Sequence, residues 1–340
     1  MATDPNPEHI LQVGMGFWAS KSLLSAVELE LFTVLDAASM TGDEIGELIG
    51  LHPRSCSDFL DALVSLGLLA RDGDGAQGRY ANTVDTAMFL DKRSPAYLGG
   101  ILEMANSRLY GFWGNLTEAL RTGQPQNEAK GGGDFFGTLY ADEERLEEFL
   151  RAMQGIQMGN FLDLLDKVDL SSATTLCDVG GASGILSALA VQRYPRLRAI
   201  TFDLPSVEPI AKRTIAAMSV GERVTTVGGN FFDDELPQAD VFVMGNVLHD
   251  WDNEQKQALI SKACASLNSG GRLIAIENVI DDARRENTFG LLMSLNMLIE
   301  TPGGSDYTGA QFDMWCLGAG FTRTEIVPLA GPASAAIAYK

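Results

Sequence analysis

The stretch GNVLHDWDNE, Gly245 to Glu254, holds one of only three histidines in the chain. His249 comes just after Asp240-Val-Phe-Val-Met244, which reads as a buried strand, and a helix-like segment follows it. A neutral imidazole at a strand end can take a proton from a weak nucleophile near neutral pH. A histidine there can also cap the next helix, and the residues alone leave both readings open. Upstream, LCDVGGASG, Leu176 to Gly184, is an apolar strand running into a glycine-rich turn and then a helix. Such a turn bends the backbone sharply and admits a ligand where a Cβ would obstruct it. The next strand ends in TFDLP, so Asp203 follows the turn by about 20 residues, where an acid can accept hydrogen bonds from both hydroxyls of a ribose.

Two cofactors suit this layout. A nicotinamide dinucleotide wants GxGxxG with its pyrophosphate on the helix N-terminus. Counted from Gly180, that register needs glycine at 182 and 185, where the chain has Ala182 and Ile185. S-adenosylmethionine carries no phosphate and uses D-x-G-x-x-x-G, which Asp178, Gly180 and Gly184 fit.

These residues need a scaffold that brings strand ends to one edge. From Ala173 onward strand-like and helix-like segments alternate, with strands expected at Thr174–Val179, Ala199–Phe202, Val224–Val227, Asp240–Met244, Arg272–Asn278, Thr322–Pro328 and Ala335–Tyr339. That alternation predicts an α/β fold, a doubly wound and mostly parallel Rossmann-like sheet. Ligands of such sheets bind beyond the carboxyl ends of the strands, which is where His249 and the glycine turn fall. Residues 97–168 read as mostly helical, interrupted by a loop at KGGGDFFGTLYADEE, Lys130 to Glu144. The first 96 residues read as helix over Val13 to Ala38, a short helix capped by Thr41 and Glu44, a helix from Arg54 to Leu69, and a tight hairpin punctuated by Asp-Gly pairs. That order makes a winged helix-turn-helix. Residues 1–100 carry six Lys and Arg against fourteen Asp and Glu, the wrong sign for a DNA footprint, so a structural or dimerising role is expected.

The whole chain is acidic, with net charge −20 over 340 residues, which disfavours nucleic acid and anionic membranes as partners. Hydrophobic residues at 46% and charged ones at 21% suit a globular chain. No apolar run approaches the ~20 residues of a membrane span, and MATDPNPEHI lacks the layout of a signal peptide. Four scattered cysteines, Cys56, Cys177, Cys264 and Cys316, form no CxxC pair, which fits a reducing cytoplasm and no metal site.

DVGGASG, FDLPSV, GGNFFD, LHDWDNE, IAIENVI and TPGGSDYTGAQFDMWCLGAGF occur in an order and spacing that resembles the class I S-adenosylmethionine-dependent O-methyltransferases. More narrowly, the chain is similar to the branch with plant caffeate and acetylserotonin O-methyltransferases and bacterial natural-product tailoring enzymes. The resemblance covers almost the whole chain. It implies three parts: a winged-helix dimerisation domain over residues 1–96, a helical linker over 97–168 that contributes to the substrate pocket, and a catalytic domain over 169–340. It implies His249 as the catalytic base, with Glu277 and Asp306 as the acids that hold it. It implies cofactor contacts at Asp178, Gly180, Gly181, Asp203, Leu204, Gly229, Asn230, Phe231, Asn246 and Asp250. The chain departs from its relatives in four places. Asp306 replaces the more usual Glu, Gly245 stands where the plant branch has Lys, Asn230-Phe231 stands for an acid followed by Met, and Ala182 replaces a common Gly.

The chemistry suits those residue types. A phenol with pKa ~10 is a weak nucleophile at pH 7. A base that removes its proton contributes ~10²–10⁴-fold, and alignment of the acceptor oxygen with the methyl carbon contributes several kcal/mol more. For the acceptor, Phe149 and Met153 share one helix face, as do Met293 and Met297 on another. Each pair reads equally as core or as pocket wall for a flat ring. Asn296 offers a polar contact, with Phe112, Trp113 and Gln157 behind it. The reaction expected is methylation of a hydroxyl on an aromatic or polycyclic small molecule in secondary metabolism, by a cytoplasmic homodimer. The alternatives are decarboxylation or hydroxylation on the same fold, a nicotinamide oxidoreductase, and a ligand-sensing regulator.

Overall fold

The computed structural model describes residues 5–36, 38–128, 130 and 142–340, and the loop expected at 130–144 falls mostly outside them. The chain forms two compact units, Met1–Gly111 and Phe112–Lys340.

In the first unit, helices Glu8–Gly14, Gly16–Glu28 and Leu31–Leu35 precede the short strand β1, Met40–Thr41. Helices Gly42–Ile49 and Pro53–Ser65 follow, then β2, Leu69–Asp72, and β3, Arg79–Asn82, which form an antiparallel sheet in the order β1-β3-β2. The single helix expected over 13–38 is broken twice. Met15 sits between two glycines, poor helix formers, and Glu30 takes a left-handed backbone with φ 55°. The turn at Glu30 lets Leu31, Phe32 and Leu35 all reach the core. The cap at Thr41 forms as expected, its side chain accepting from the Glu44 N–H while Glu44 accepts from the Thr41 N–H. The Asp-Gly pairs turn the chain with Gly73 and Gly75 at positive φ, but through a connection spanning residues 73–78 with a helical turn inside it. The core gathers Phe32, Ile45, Leu60 and Leu63.

The second unit is built on seven strands: β4 (Thr175–Val179), β5 (Arg198–Asp203), β6 (Val224–Gly228), β7 (Ala239–Gly245), β8 (Leu267–Glu277), β9 (Arg323–Pro328) and β10 (Ser334–Tyr339). Their order is β6-β5-β4-β7-β8-β10-β9. All pairs from β6 to β8 are parallel, and β10 runs antiparallel between β8 and β9. Central strands buried on both faces need continuous apolar runs, and Leu176, Cys177, Val241, Phe242, Val243, Ile274 and Ile276 supply them, each 0–1% exposed. The strand order reverses between β4 and β7, so the carboxyl edge there opens the crevice that such folds use for ligands. Helix Glu143–Lys167 packs Phe161, Leu164 and Leu165 into the same core as helix Ile185–Arg193. Among the described residues no helix is long and apolar enough to cross a membrane.

Candidate active site

The turn after β4 shows why positions 180 and 181 are glycine. Gly180 has φ +69°, and a Cβ there would lie 2.7 Å from Val247 Cγ2. A Cβ on Gly181 would lie 2.7 Å from Thr201 Cγ2 and 2.9 Å from Asp178 Cγ. Asp178 is thus packed beneath the loop, 4% exposed. Burial, and then the charge of Asp203, raise its carboxyl to about 7. Asp203 ends β5, and its two oxygens accept the N–H groups of Ala182 (2.8 Å) and Leu204 (2.7 Å). Burial still raises it to about 6 against those two bonds. A partly satisfied carboxylate above an open glycine cradle fits the ribose hydroxyls of an adenosyl group. Gly229 follows β6 with no room for a Cβ, which would come within 2.7 Å of Phe202. Asn246, at the end of β7, takes a left-handed backbone with φ 52° and donates its N–H to the Ile276 carbonyl.

Asn230 and Phe231 shape the loop after β6. Asn230 Oδ1 accepts the Phe232 N–H at 3.0 Å, and its Nδ2 donates to Asp233 at 2.7 Å. Its polar atoms therefore hold its own turn. Phe231 and Phe232 meet Trp251 edge-on, with ring centroids 5.8 and 4.7 Å away, so Trp251 packs the loop after β6 against the His249 segment.

His249 lies in a short helical turn, Leu248–Asp250, just after β7, and is 5% exposed. Its Nδ1 is 3.4 Å from Glu277 Oε2 and 3.6 Å from Asp306 Oδ1, and its Nε2 is 3.5 Å from Asp250 Oδ1. Among the described residues His249, Glu277 and Asp306 are the one trio of His, Cys, Asp or Glu whose donor atoms all come within 4.8 Å of each other. Glu277 ends β8, so the parallel β7–β8 pair places it beside the His249 segment. Its Oε1 accepts the N–H groups of Leu248 (2.9 Å) and His249 (3.3 Å), leaving Oε2 for the ring. Asp306 comes from the loop after helix Thr288–Glu300, and the Ser305 N–H ties that loop to the His249 carbonyl at 2.8 Å. The imidazole–carboxylate distances are slightly long for hydrogen bonds, a common state of catalytic pairs before substrate arrives.

The electrostatics follow from crowding. Burial lowers the proton affinity of His249, but Glu277, Asp250 and Asp306 outweigh it and raise the imidazole to about 10. Burial raises Glu277 to about 7 and Asp250 to about 6, with His249 opposing both shifts. Once neutral, the ring can therefore take a proton from an acidic hydroxyl and hold it. Asp250, expected among the cofactor contacts, lies within this cluster.

The expected acceptor residues spread over two places. Phe149 packs with Leu146, Leu150, Val207, Ala182 and Leu204, beside the glycine turn. Met153 and Met293 are half-buried and Met297 is buried. Asn296 is buried with both ends engaged, accepting from Trp113 Nε1 at 2.9 Å and donating to Glu300 Oε2 at 3.1 Å. Two buried charged residues escape the sequence reading, Glu300 and Lys256. The spacing of Lys256 along its helix carries no signal that it faces inward.

Residues 113–322 match the family model of the O-methyltransferase domain, and residues 11–92 match that of the O-methyltransferase dimerisation domain. The chain is 41% identical over 334 residues to the tetracenomycin polyketide synthesis 8-O-methyl transferase TcmO of Streptomyces glaucescens, covering 98% of this chain and 97% of the relative. It is 34% identical to acetylserotonin O-methyltransferase of Bos taurus, covering 96% and 95% of the two. The crystal structure of human N-acetylserotonin methyltransferase in complex with SAM aligns with 100% of this chain and 99% of its own, at 28% identity and TM-score 0.91. NcsB1 from neocarzinostatin biosynthesis, solved with S-adenosylmethionine and 2-hydroxy-5-methyl naphthoic acid, aligns at 27% identity and TM-score 0.76 over 94% and 95%. With its catalytic unit and its dimerisation domain both matched, the chain belongs to the S-adenosylmethionine-dependent O-methyltransferases.

Proposed function

We propose that this enzyme methylates a hydroxyl of an aromatic or polycyclic small molecule in secondary-metabolite biosynthesis, with His249 as general base. The observation that carries this is an imidazole buried between the carboxylates of Glu277 and Asp306 at the carboxyl edge of the sheet. TcmO and NcsB1, whose names and ligands point to polyketide and naphthoate acceptors, support the acceptor class. The cofactor supplies a methyl group already activated on a sulfonium. The chain's own residues do the rest. Gly180, Gly181 and Asp203 cradle the adenosyl group, with Asp178 supporting the turn from below and Leu204, Gly229, Asn230, Phe231 and Asn246 shaping its rim. His249 removes the acceptor proton at Nε2. A base near 10 and a phenol of pKa ~10 are matched, so the transfer is close to level. Glu277 and Asp306 steady the ring from Nδ1, and Asp250 stabilises the proton on Nε2. Met153, Met293 and Met297 form the apolar wall for the acceptor ring, and Asn296 holds that wall through Trp113 and Glu300.

The first unit serves as a winged-helix dimerisation domain for a cytoplasmic homodimer that takes no nucleic acid. Ile10, Leu11, Val13, Phe17 and Trp18 are 51–72% exposed on its first two helices, an apolar face that a second copy would cover. The domain boundaries proposed from sequence, 96/97 and 168/169, differ from the division at Gly111 and Phe112. Decarboxylation or hydroxylation is the less favoured reading, since relatives matched over nearly the full chain are O-methyltransferases.

The test is a labelled-methyl assay against hydroxylated aromatic and polycyclic acceptors, with His249→Ala alongside wild type. The variant is expected to bind S-adenosylhomocysteine normally and lose ~10²–10⁴-fold in turnover. Full turnover in the variant would remove His249 from the mechanism. Calorimetric binding of NAD in place of S-adenosylhomocysteine would remove the cofactor assignment.

A further inference from the structure

Lys256 lies on the helix Asn253–Ser266, one turn past the N-cap Asp252, and is completely buried. Among the described residues it is the only lysine or arginine that is buried. An ammonium withdrawn from water costs several kcal/mol unless charged and hydrogen-bonding partners offset it. Its Nζ donates to the Trp251 carbonyl at 2.7 Å and to Ser305 Oγ at 3.1 Å. Trp251 closes the segment that carries His249, and Ser305 immediately precedes Asp306. The ammonium therefore bridges the loop bearing the base and the loop bearing one of its acids. The Trp315 ring, on helix Gly309–Ala319, lies with its centroid 6.0 Å from Nζ.

Charged groups face this ammonium from each neighbouring element: Glu277 from the end of β8, Asp306 from the loop after Thr301, and Asp250 and Asp252 from the segment after β7. His249 lies among the same acids, and the buried Tyr307 hydroxyl adjoins Glu277 and Asp306. Burial pushes the Lys256 ammonium below its ordinary range while the four carboxylates oppose that shift.

We propose that Lys256 is a positioning residue for the base, joining the His249 and Asp306 loops through its two hydrogen bonds and setting its charge against the surrounding carboxylates. This rests on the reading of His249 as the base. The charge has a direction. A cation among the carboxylates that also act on His249 offsets part of the negative field that stabilises imidazolium. It therefore makes His249 release its proton at lower pH than the carboxylates alone would allow, and turnover needs that neutral ring. The hydrogen bonds act separately, holding the carbonyl of Trp251 and the hydroxyl of Ser305 at fixed separation. A mere filler of the same volume would do neither.

Lys256→Met removes both functions, and Lys256→Gln keeps a donor for the Trp251 carbonyl without the charge. Each is compared with wild type and with His249→Ala for kcat, acceptor KM, S-adenosylhomocysteine affinity and the His249 ring titration by NMR. The only other histidines, His9 and His52, are exposed, and His249→Ala identifies the third signal. Expected in both variants is a kcat lowered by ~10-fold or more with KM and cofactor affinity within ~2-fold, and a His249 titration moved to higher pH. Should Lys256→Met fail to fold, Lys256→Gln carries the same readouts. A His249 titration unmoved in a folded variant overturns the proposal, even where kcat falls. Undiminished turnover in His249→Ala overturns the base assignment instead. An inactive His249→Ala beside fully active Lys256 variants overturns only the role of Lys256.

Discussion

Gly304 lies against the backbone that presents His249, the proposed base. A Cβ added there would meet the His249 carbonyl oxygen at 2.6 Å, the Asp250 carbonyl oxygen at 2.8 Å, and Thr301 Oγ1 as well. Two of the three obstacles are backbone, so they cannot swing aside as a side-chain tip can. A carbon meets an oxygen without repulsion at about 3.3 Å, so the His249 carbonyl must retreat by roughly 0.7 Å. That carbonyl also accepts the Ser305 N–H at 2.8 Å, and the retreat strains the tie to the Asp306 loop. Overpacking of this kind costs ~1–3 kcal/mol, or about 2–12 °C in Tm for a unit of this size. Since a 1 Å misplacement can cost ~10²-fold in rate, Gly304→Ala is expected to lower kcat by ~10-fold or more. The glycine cradle lies on other strand ends, so S-adenosylhomocysteine affinity by calorimetry should stay near wild type. Gly318→Ala is the control. It sits in helix Gly309–Ala319 with nothing within 4 Å of the added Cβ, and it should leave kcat unchanged and raise stability by up to ~1 kcal/mol. A Gly304→Ala enzyme with wild-type kcat on the labelled-methyl assay would refute the claim that this backbone contact sets the position of His249.

Three further outcomes follow from the buried acids and His249. Because the carboxylates raise His249 to about 10 and catalysis needs it neutral, kcat/KM should climb as pH rises from 7 to 9, and a flat profile there would count against the base. Asp178, Asp203, Asp250 and Glu277 titrate at about 6 to about 7, above their ordinary range. The folded cofactor-free protein thus holds more protons than the unfolded chain, and its stability should fall as pH rises from about 5 to about 7. His249, also raised, extends that decline from about 6.5 toward about 10. Scanning fluorimetry that found Tm rising from pH 5 to 8 would contradict these shifts. Finally, Asp306→Asn removes one of the acids that raise His249, so its NMR titration should move down, opposite to the Lys256 variants, and the rise of kcat/KM with pH should move to lower pH with it. An unmoved titration would mean that the 3.6 Å separation transmits little of the charge.

The parallel strands were legible because a strand buried on both faces must be continuously apolar. Val241 to Met244 meets that demand, and Leu176 to Val179 meets it except at the buried Asp178; their ends lie within a residue or two of the expected positions. In the first helical stretch the glycines on either side of Met15 mark one break, but the break at Glu30 was not legible. The left-handed turn at Glu30 answers to the burial of Leu31, Phe32 and Leu35 around it, a tertiary demand that overrides local preference. Helical spacing told which residues share a face but not what the face meets. Asn296 shows the difference, since its amide is committed to Trp113 and Glu300. Lys256 shows it more sharply, because lysines are almost never fully buried unless paired, and its partners lie on other elements.

The same limit governs the proposed base. His249 is conspicuous in sequence because it is rare and follows a strand. Its proton affinity, however, is set by an assembly drawn from three places: Asp250 beside it, Glu277 on the neighbouring strand, and Asp306 on a loop tied to its carbonyl. Topology places Glu277 there, because β8 pairs parallel to β7 and ends at the same edge. Packing places Asp306 there, through Ser305 and the space kept open at Gly304. The shorter Asp306 side chain leaves its oxygen 3.6 Å from Nδ1, while Glu277, anchored by two backbone N–H groups, stands at 3.4 Å. Glu277 is the better fixed of the two and also the carboxylate that does most to raise His249. Loss of Glu277 should therefore disturb the ring's position and its basicity together, whereas loss of Asp306 should act mainly on basicity.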